Sequence, residues 1–134
     1  MRIDDKIEEI EEFLQQLSEV IPISLEDYKS DFRTKAICER YFEKIIEAVV
    51  DLAFLFIKNH NYDIPEGDKE AIQLLADKGI IDLKLSDRLQ KAKSMRNIIA
   101  HEYGKIDDEQ VFEAVSEEID KDVKEFVERI KMLR

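Results

Sequence analysis

Residues 96–103 read RNIIAHEY. An arginine, an amide, an imidazole and a phenol fall within two helical turns, and together they could hold and cut a phosphodiester. Histidine titrates near neutrality, so His101 can take a proton or give one. Arg96 stays protonated and does neither. Its planar fork can grip a phosphate and stabilise charge developing on phosphorus. Asn97 can orient the imidazole or the substrate. This inventory suits cleavage of RNA by its own 2′-hydroxyl, because the substrate then brings the nucleophile and no metal or activated serine is required. One histidine makes one proton transfer at a time. A two-fold dimer facing two such segments across a cleft would supply both an acid and a base. As bare spacing, the same octapeptide also fits a surface arginine, a capping histidine and a packed tyrosine.

On a regular helix, Arg96 and Tyr103 share a face, as do Asn97 and His101. Arg96 and His101 then lie about 140° apart and flank a groove rather than touch. Ile98 and Ile99 are expected to fix this turn against the core. Gly104 should end the helix, so His101 falls among unpaired carbonyls whose partial negative charge favours imidazolium. The surrounding stretch is locally basic: Arg88, Lys91, Lys93, Arg96 and Lys105 face only Glu102, in a chain of net charge −11. Arg88, Lys91, Lys93 and Lys105 are therefore candidates for RNA contact, with a solvated helix face as the plainer reading. His60, the other histidine, lies in an expected loop and reads as a surface residue.

The elements that must position these groups follow from hydrophobic spacing. Ile3, Ile7, Ile10, Leu14, Leu17 and Ile21 form a narrow stripe, predicting a first helix from about Asp4 to Val20 that Pro22 stops. Ser24 with Asp27 resembles an N-terminal cap. A long second helix should fill the region from Ser30 or before to Lys58. Its second half is apolar nearly all round, and a second subunit could supply part of its cover. NHNYDIPEGD is a loop. Asp68 can cap a short third helix ending before Gly79, a position suited to left-handed backbone. Leu85, Leu89, Ala92 and Ile99 mark the buried side of a fourth helix, with Ser86 as a candidate cap. Asp107 and Gln110 open a fifth, whose stripe is Phe112, Val115, Ile119, Val123, Phe126, Ile130 and Leu133. Nothing alternates with a period of two. The expected fold is all-α: an up-and-down bundle of four substantial helices and one short helix, in one domain over residues 1–134.

Composition agrees. With 44% hydrophobic and 40% charged residues but three glycines and two prolines, the chain favours long helices with few breaks. Cys38 stands alone, which excludes an internal disulfide and a multi-cysteine zinc site. Glu47 and Asp51 share a helical face near Glu39, Arg40 and Glu43. Paired acids without accompanying histidines read as solvated or ion-paired rather than as a metal site. The opening MRIDDKIEEIEE lacks the apolar core of a signal peptide, and IIEAVVDLAFLFI is too short and too charged to span a bilayer. A cytoplasmic location without membrane contact is expected.

RNIIAHEY resembles the R-x4-H-x-Y motif of HEPN-domain proteins, specifically the HepT-like toxin family. The similarity extends from about Tyr28 to Phe126 through AICERYFEKIIEAVVDLAFLFI, the Pro-bearing loop, AIQLLADKGIID and RLQKAKSMRNIIAHEYGKIDDEQV. The order of these blocks is far more specific than the octapeptide. The resemblance implies a small all-α subunit that homodimerises and cleaves RNA without metal or cofactor, with Arg96 and His101 as the catalytic pair and Asn97 in support. It further implies a minimal nucleotidyltransferase antitoxin as partner, transferring AMP to Tyr103. The rival expectation is a non-catalytic helical module that binds the nucleotidyltransferase or its substrate.

Overall fold

The computed structural model describes residues 2–101 and 106–134. The chain runs α1 (Ile3–Val20), α2 (Leu25–Ser30), α3 (Phe32–Asn59), α4 (Asp68–Asp77), α5 (Leu83–His101), α6 (Asp108–Glu113), a π-helical turn (Ala114–Glu118) and α7 (Ile119–Leu133). Among the described residues there is no strand, as the absence of any two-residue alternation predicts.

The spine of the bundle is α3. Ile45, Ile46, Val49, Leu52, Ala53, Phe56 and Ile57 on its second half are all buried, and each large side chain removed from water contributes about 1.5–3 kcal/mol. The cover expected in part from a second subunit comes from the same chain. α1 packs along α3, and α4, α5 and α7 complete the enclosure. The α1 stripe does the packing on its side: Ile3, Ile7, Ile10, Leu14 and Leu17 are buried in one cluster with the α3 residues.

Several helix ends differ from the sequence reading, and each difference has a local cause. The long second helix is divided. Ser24 caps a separate short α2 through a bond from the Asp27 amide at 3.1 Å. Asp31 is then extended and caps α3, accepting from the Arg33 amide at 3.0 Å and from the Thr34 hydroxyl at 3.0 Å. The Arg33 amide bond, followed by that from Thr34, holds the Asp31 carboxyl below its ordinary range. At α4 the cap position is Gly67, and Asp68 turns its carboxylate to Lys93 instead. At α5 the capping side chain is Asp82, which accepts from the Leu85 amide at 2.7 Å. Ser86, the expected cap, is buried and accepts a bond from Gln90 at 2.9 Å. Gly79 has φ +75°, the left-handed backbone foreseen for it.

Asp107 caps α6 as expected, accepting from the amides of Glu109 and Gln110. The helix that follows is not uniform: the π-helical turn interrupts it before α7. Val115, Ile119, Val123, Phe126 and Ile130 of the expected stripe are buried, Phe112 is half-buried and Leu133 is exposed.

Two predictions arise from titratable groups of α3. Cys38 is fully buried, and burial pushes its thiol up to about 11. The native protein should therefore resist iodoacetamide at mildly alkaline pH and react stoichiometrically once denatured, as intact mass will report. Rapid modification without denaturant would mean that the Cys38 turn opens readily. Burial also raises the Glu39 carboxyl, assisted by Asp108 and Glu43, while Lys35 pulls it down in part. Its folded-state value thus lies above the unfolded one. The stability it contributes is present below the unfolded value and is lost as pH rises through the folded one. Glu39→Gln should raise the unfolding temperature at neutral pH, with the gain shrinking as pH falls through the carboxylate range. Thermal scans at several pH values test this, and a gain that does not vary with pH would contradict it.

Candidate active site

The site is built on one helix and the spine beneath it. Leu85, Leu89 and Ile99 bury one side of α5 against the bundle. Arg96 falls on that inward side, one turn before Ile99 and above α3. Its guanidinium Nη2 donates to Oε1 of Glu47. The Arg96 side chain keeps only 18% of its exposure, while Glu47 keeps 42%. The Nε–H of Arg96 is buried and has no hydrogen-bond partner. An unpaired buried donor costs about 1–3 kcal/mol and persists where another demand fixes the group. The carboxylates one turn either side of Glu47 hold other cations: Glu43 pairs with Arg40 at 3.4 Å and Asp51 with Lys6 at 3.5 Å. The acids of this α3 face are thus ion-paired, and Glu47 is the partner of Arg96 that sequence reasoning left among them. No local signal could have matched it to Arg96, since the two lie 49 residues apart.

Asn97 and His101 take the other side of α5 and are both exposed. The angular separation expected between Arg96 and His101 is realised as a division of labour: the arginine turns inward to α3, and the imidazole faces solvent on the last described turn. Only half of the expected isoleucine anchor exists. Ile99 is 3% exposed and fixes the turn, whereas Ile98 is 37% exposed and borders a groove with Met95, Ile106 and Val111.

The basic strip is largely committed within the subunit. Arg88 reaches α7, donating to Asp122 at 2.9 Å and to Glu125 at 3.4 Å. Lys93 lies 3.0 Å from Asp68 of α4 with 11% of its side chain exposed. Lys93 is thus enclosed, and Arg88, still 41% exposed, is held by two carboxylates. Lys91 is exposed. Lys105, Tyr103 and the expected helix stop at Gly104 lie outside the described residues. His60 ends α3, with Nδ1 3.0 Å from the Phe56 carbonyl oxygen and its ring stacked on Phe56 at 3.9 Å. That is a structural role.

Among the described residues, no group of three or more His, Cys, Asp or Glu side chains converges as a metal cage. No described helix is long and apolar enough to cross a membrane. Chemically, then, one subunit offers an anchored cation for an anionic oxygen and a single exposed imidazole for proton transfer.

Comparison with known proteins identifies the family to which the chain is similar. A family model described as Ribonuclease HepT-like matches residues 3–130. The chain is 31% identical over 114 residues to the tRNA nuclease HepT of Aphanizomenon flos-aquae, covering 85% of this chain and 78% of that one. It is 28% identical over 104 residues to the mRNA nuclease HepT of Shewanella oneidensis, covering 78% and 77%. Among solved structures, it superposes with TM-score 0.90 and 26% identity on a tri-AMPylated HEPN toxin of Shewanella oneidensis in complex with MNT antitoxin, covering 97% of this chain and 96% of that one.

Proposed function

The chain belongs to the HepT-like ribonuclease family, and from that premise we propose that Arg96 and His101 are the catalytic pair of a metal-independent ribonuclease toxin acting in the cytoplasm. The observation that carries the assignment is the pairing of an arginine fixed against α3 with an exposed imidazole five residues later on the same helix. The substrate's 2′-oxygen attacks phosphorus and gives up its proton to a neutral His101. The P–O5′ bond breaks as a protonated His101 from a second subunit supplies a proton to the leaving 5′-oxygen. Arg96 stabilises the negative charge that accumulates on the non-bridging oxygens between these events. The products are a 2′,3′-cyclic phosphate and a free 5′-hydroxyl. Two imidazoles in opposite protonation states are needed, which is why the active species is a homodimer with a composite site. Asn97, exposed beside His101, orients the imidazole or the ribose. Lys91 and Lys105 are the strip residues proposed to meet RNA phosphates. Arg88 and Lys93 join them only if their carboxylate partners release them.

The restraint on such an enzyme is a minimal nucleotidyltransferase antitoxin, the kind of partner carried by the solved relative. We assign Tyr103 as the AMP acceptor. Two positions beyond the catalytic imidazole in sequence, an attached adenylate brings an anion and a bulky base to a site that must accept a phosphodiester. Modified wild-type protein should lose cleavage, whereas Tyr103→Phe should cleave RNA normally and stay active after incubation with antitoxin and ATP. Intact mass verifies the modification. Silencing of Tyr103→Phe by stoichiometric adenylation elsewhere would remove Tyr103 from this role.

The founding test is incubation of partner-free protein with end-labelled RNA, tRNA included, in excess EDTA. Cleavage to 2′,3′-cyclic phosphate ends, lost in His101→Ala, is expected. Folded, unmodified protein that binds the nucleotidyltransferase but cuts no RNA would establish a binding module instead.

A further inference from the structure

We propose that Glu47 is the positioning residue of the site, acting on RNA through Arg96; this rests on the catalytic reading of Arg96 given above. The argument begins with the donors of the guanidinium. Arg96 has five N–H bonds, and in the free subunit Glu47 takes one of them, at Nη2. The Nε–H lies on the same edge of the plane as Nη2, yet it is buried and unpaired. A carboxylate that served only to neutralise this arginine would engage both donors of that edge through its two oxygens, as bidentate pairs do. Glu47 instead holds the group by one corner. The Nε–H faces the protein interior, so the remaining Nη1 and Nη2 donors are the ones left to a phosphate, and the plane of the guanidinium is fixed before RNA arrives.

The surroundings strengthen the assignment. The next acids along the same face of α3, Glu43 and Asp51, are held by Arg40 and Lys6. Neither competes for Arg96 in the structure. α3 is packed by α1, α4, α5 and α7, so Glu47 projects from a helix held on several sides, whereas Arg96 sits near the end of α5. A flexible side chain of high rotamer entropy is thereby presented to substrate from a fixed support, which is how preorganisation lowers a barrier.

The test separates positioning from a merely structural ion pair. Glu47→Ala should lower kcat on RNA by about 10²-fold, the scale of a small misplacement at a reacting centre, with little change in KM. Glu47→Gln keeps an acceptor for Nη2 and should recover most of that loss. In an Arg96→Ala background, Glu47→Ala should cost nothing further, because the residue acts through the arginine alone. Circular dichroism confirms that each variant is folded.

A readout independent of turnover comes from the ¹⁵N–¹H signal of the Arg96 Nε–H. It should shift on Glu47→Ala, and shift in wild type on titration with a 2′-deoxy dinucleotide that cannot be cleaved. Unchanged kcat in folded Glu47→Ala, a further loss in the Arg96→Ala background, or an Nε–H signal indifferent to Glu47 would each overturn the inference. Wild-type protein that fails to cut RNA would overturn the nuclease reading, and the Nε–H signal would still decide whether Glu47 holds the arginine.

Discussion

His101→Ala should abolish RNA cleavage, lowering the rate by about 10³-fold or more, while the unfolding temperature stays within about a degree or two of wild type. The expected separation of effects comes from where the residue sits. His101 is exposed on the last described turn of α5, so truncation opens no cavity in the core. The loss in rate is the loss of a proton acceptor in one half-site and a proton donor in the other. A heterodimer of one wild-type and one His101→Ala subunit should also be strongly impaired, because a remaining imidazole cannot take both roles within one transition state. Cleavage kinetics on purified heterodimer check this. Wild-type rates from His101→Ala would refute the assignment.

Arg96→Ala should also be strongly impaired, and Arg96→Lys should not restore it. A lysine carries the same charge but offers a point-like ammonium on a flexible stem, without the planar fork that engages Glu47 at one corner and phosphate oxygens with its outer donors. The expected loss for either substitution is about 10²–10³-fold in kcat/KM, corresponding to roughly 3–4 kcal/mol of transition-state stabilisation. Arg96 is only 18% exposed, but its partner Glu47 remains 42% exposed and can be rehydrated once left alone. The fold should therefore survive, with a stability change within about 1 kcal/mol. Single-turnover cleavage together with denaturant unfolding separates the two quantities. Full activity in Arg96→Lys would show that charge alone suffices and would remove the reason for a fixed guanidinium.

Helical periodicity carried most of the architecture. The α1 stripe, the buried α3, the left-handed Gly79 and the Asp107 cap are local properties, each decided within a few residues, and so they could be read directly from the order of side chains. The breaks were harder. Asp31 and Asp82 outcompeted the expected boundaries because a well-placed carboxylate captures amides that a continuing helix would otherwise bond within itself. The π-helical turn at Ala114–Glu118 leaves the buried stripe nearly in phase, and a pattern that counts only apolar positions passes straight through it.

The candidate site divides in the same way. Arg96, Asn97 and His101 could be recognised from their types and spacing, and helix geometry alone sets the arginine and the imidazole on different sides of α5. Which side faces what was settled only when the chain closed. Tertiary packing brought Glu47 to Arg96, Asp122 to Arg88 and Asp68 to Lys93, and so determined which cations of one basic stretch are anchored and which face solvent. Ion pairs between distant helices leave no trace in local spacing. Their partners are chosen by how the helices stack, and that choice belongs to the folded chain.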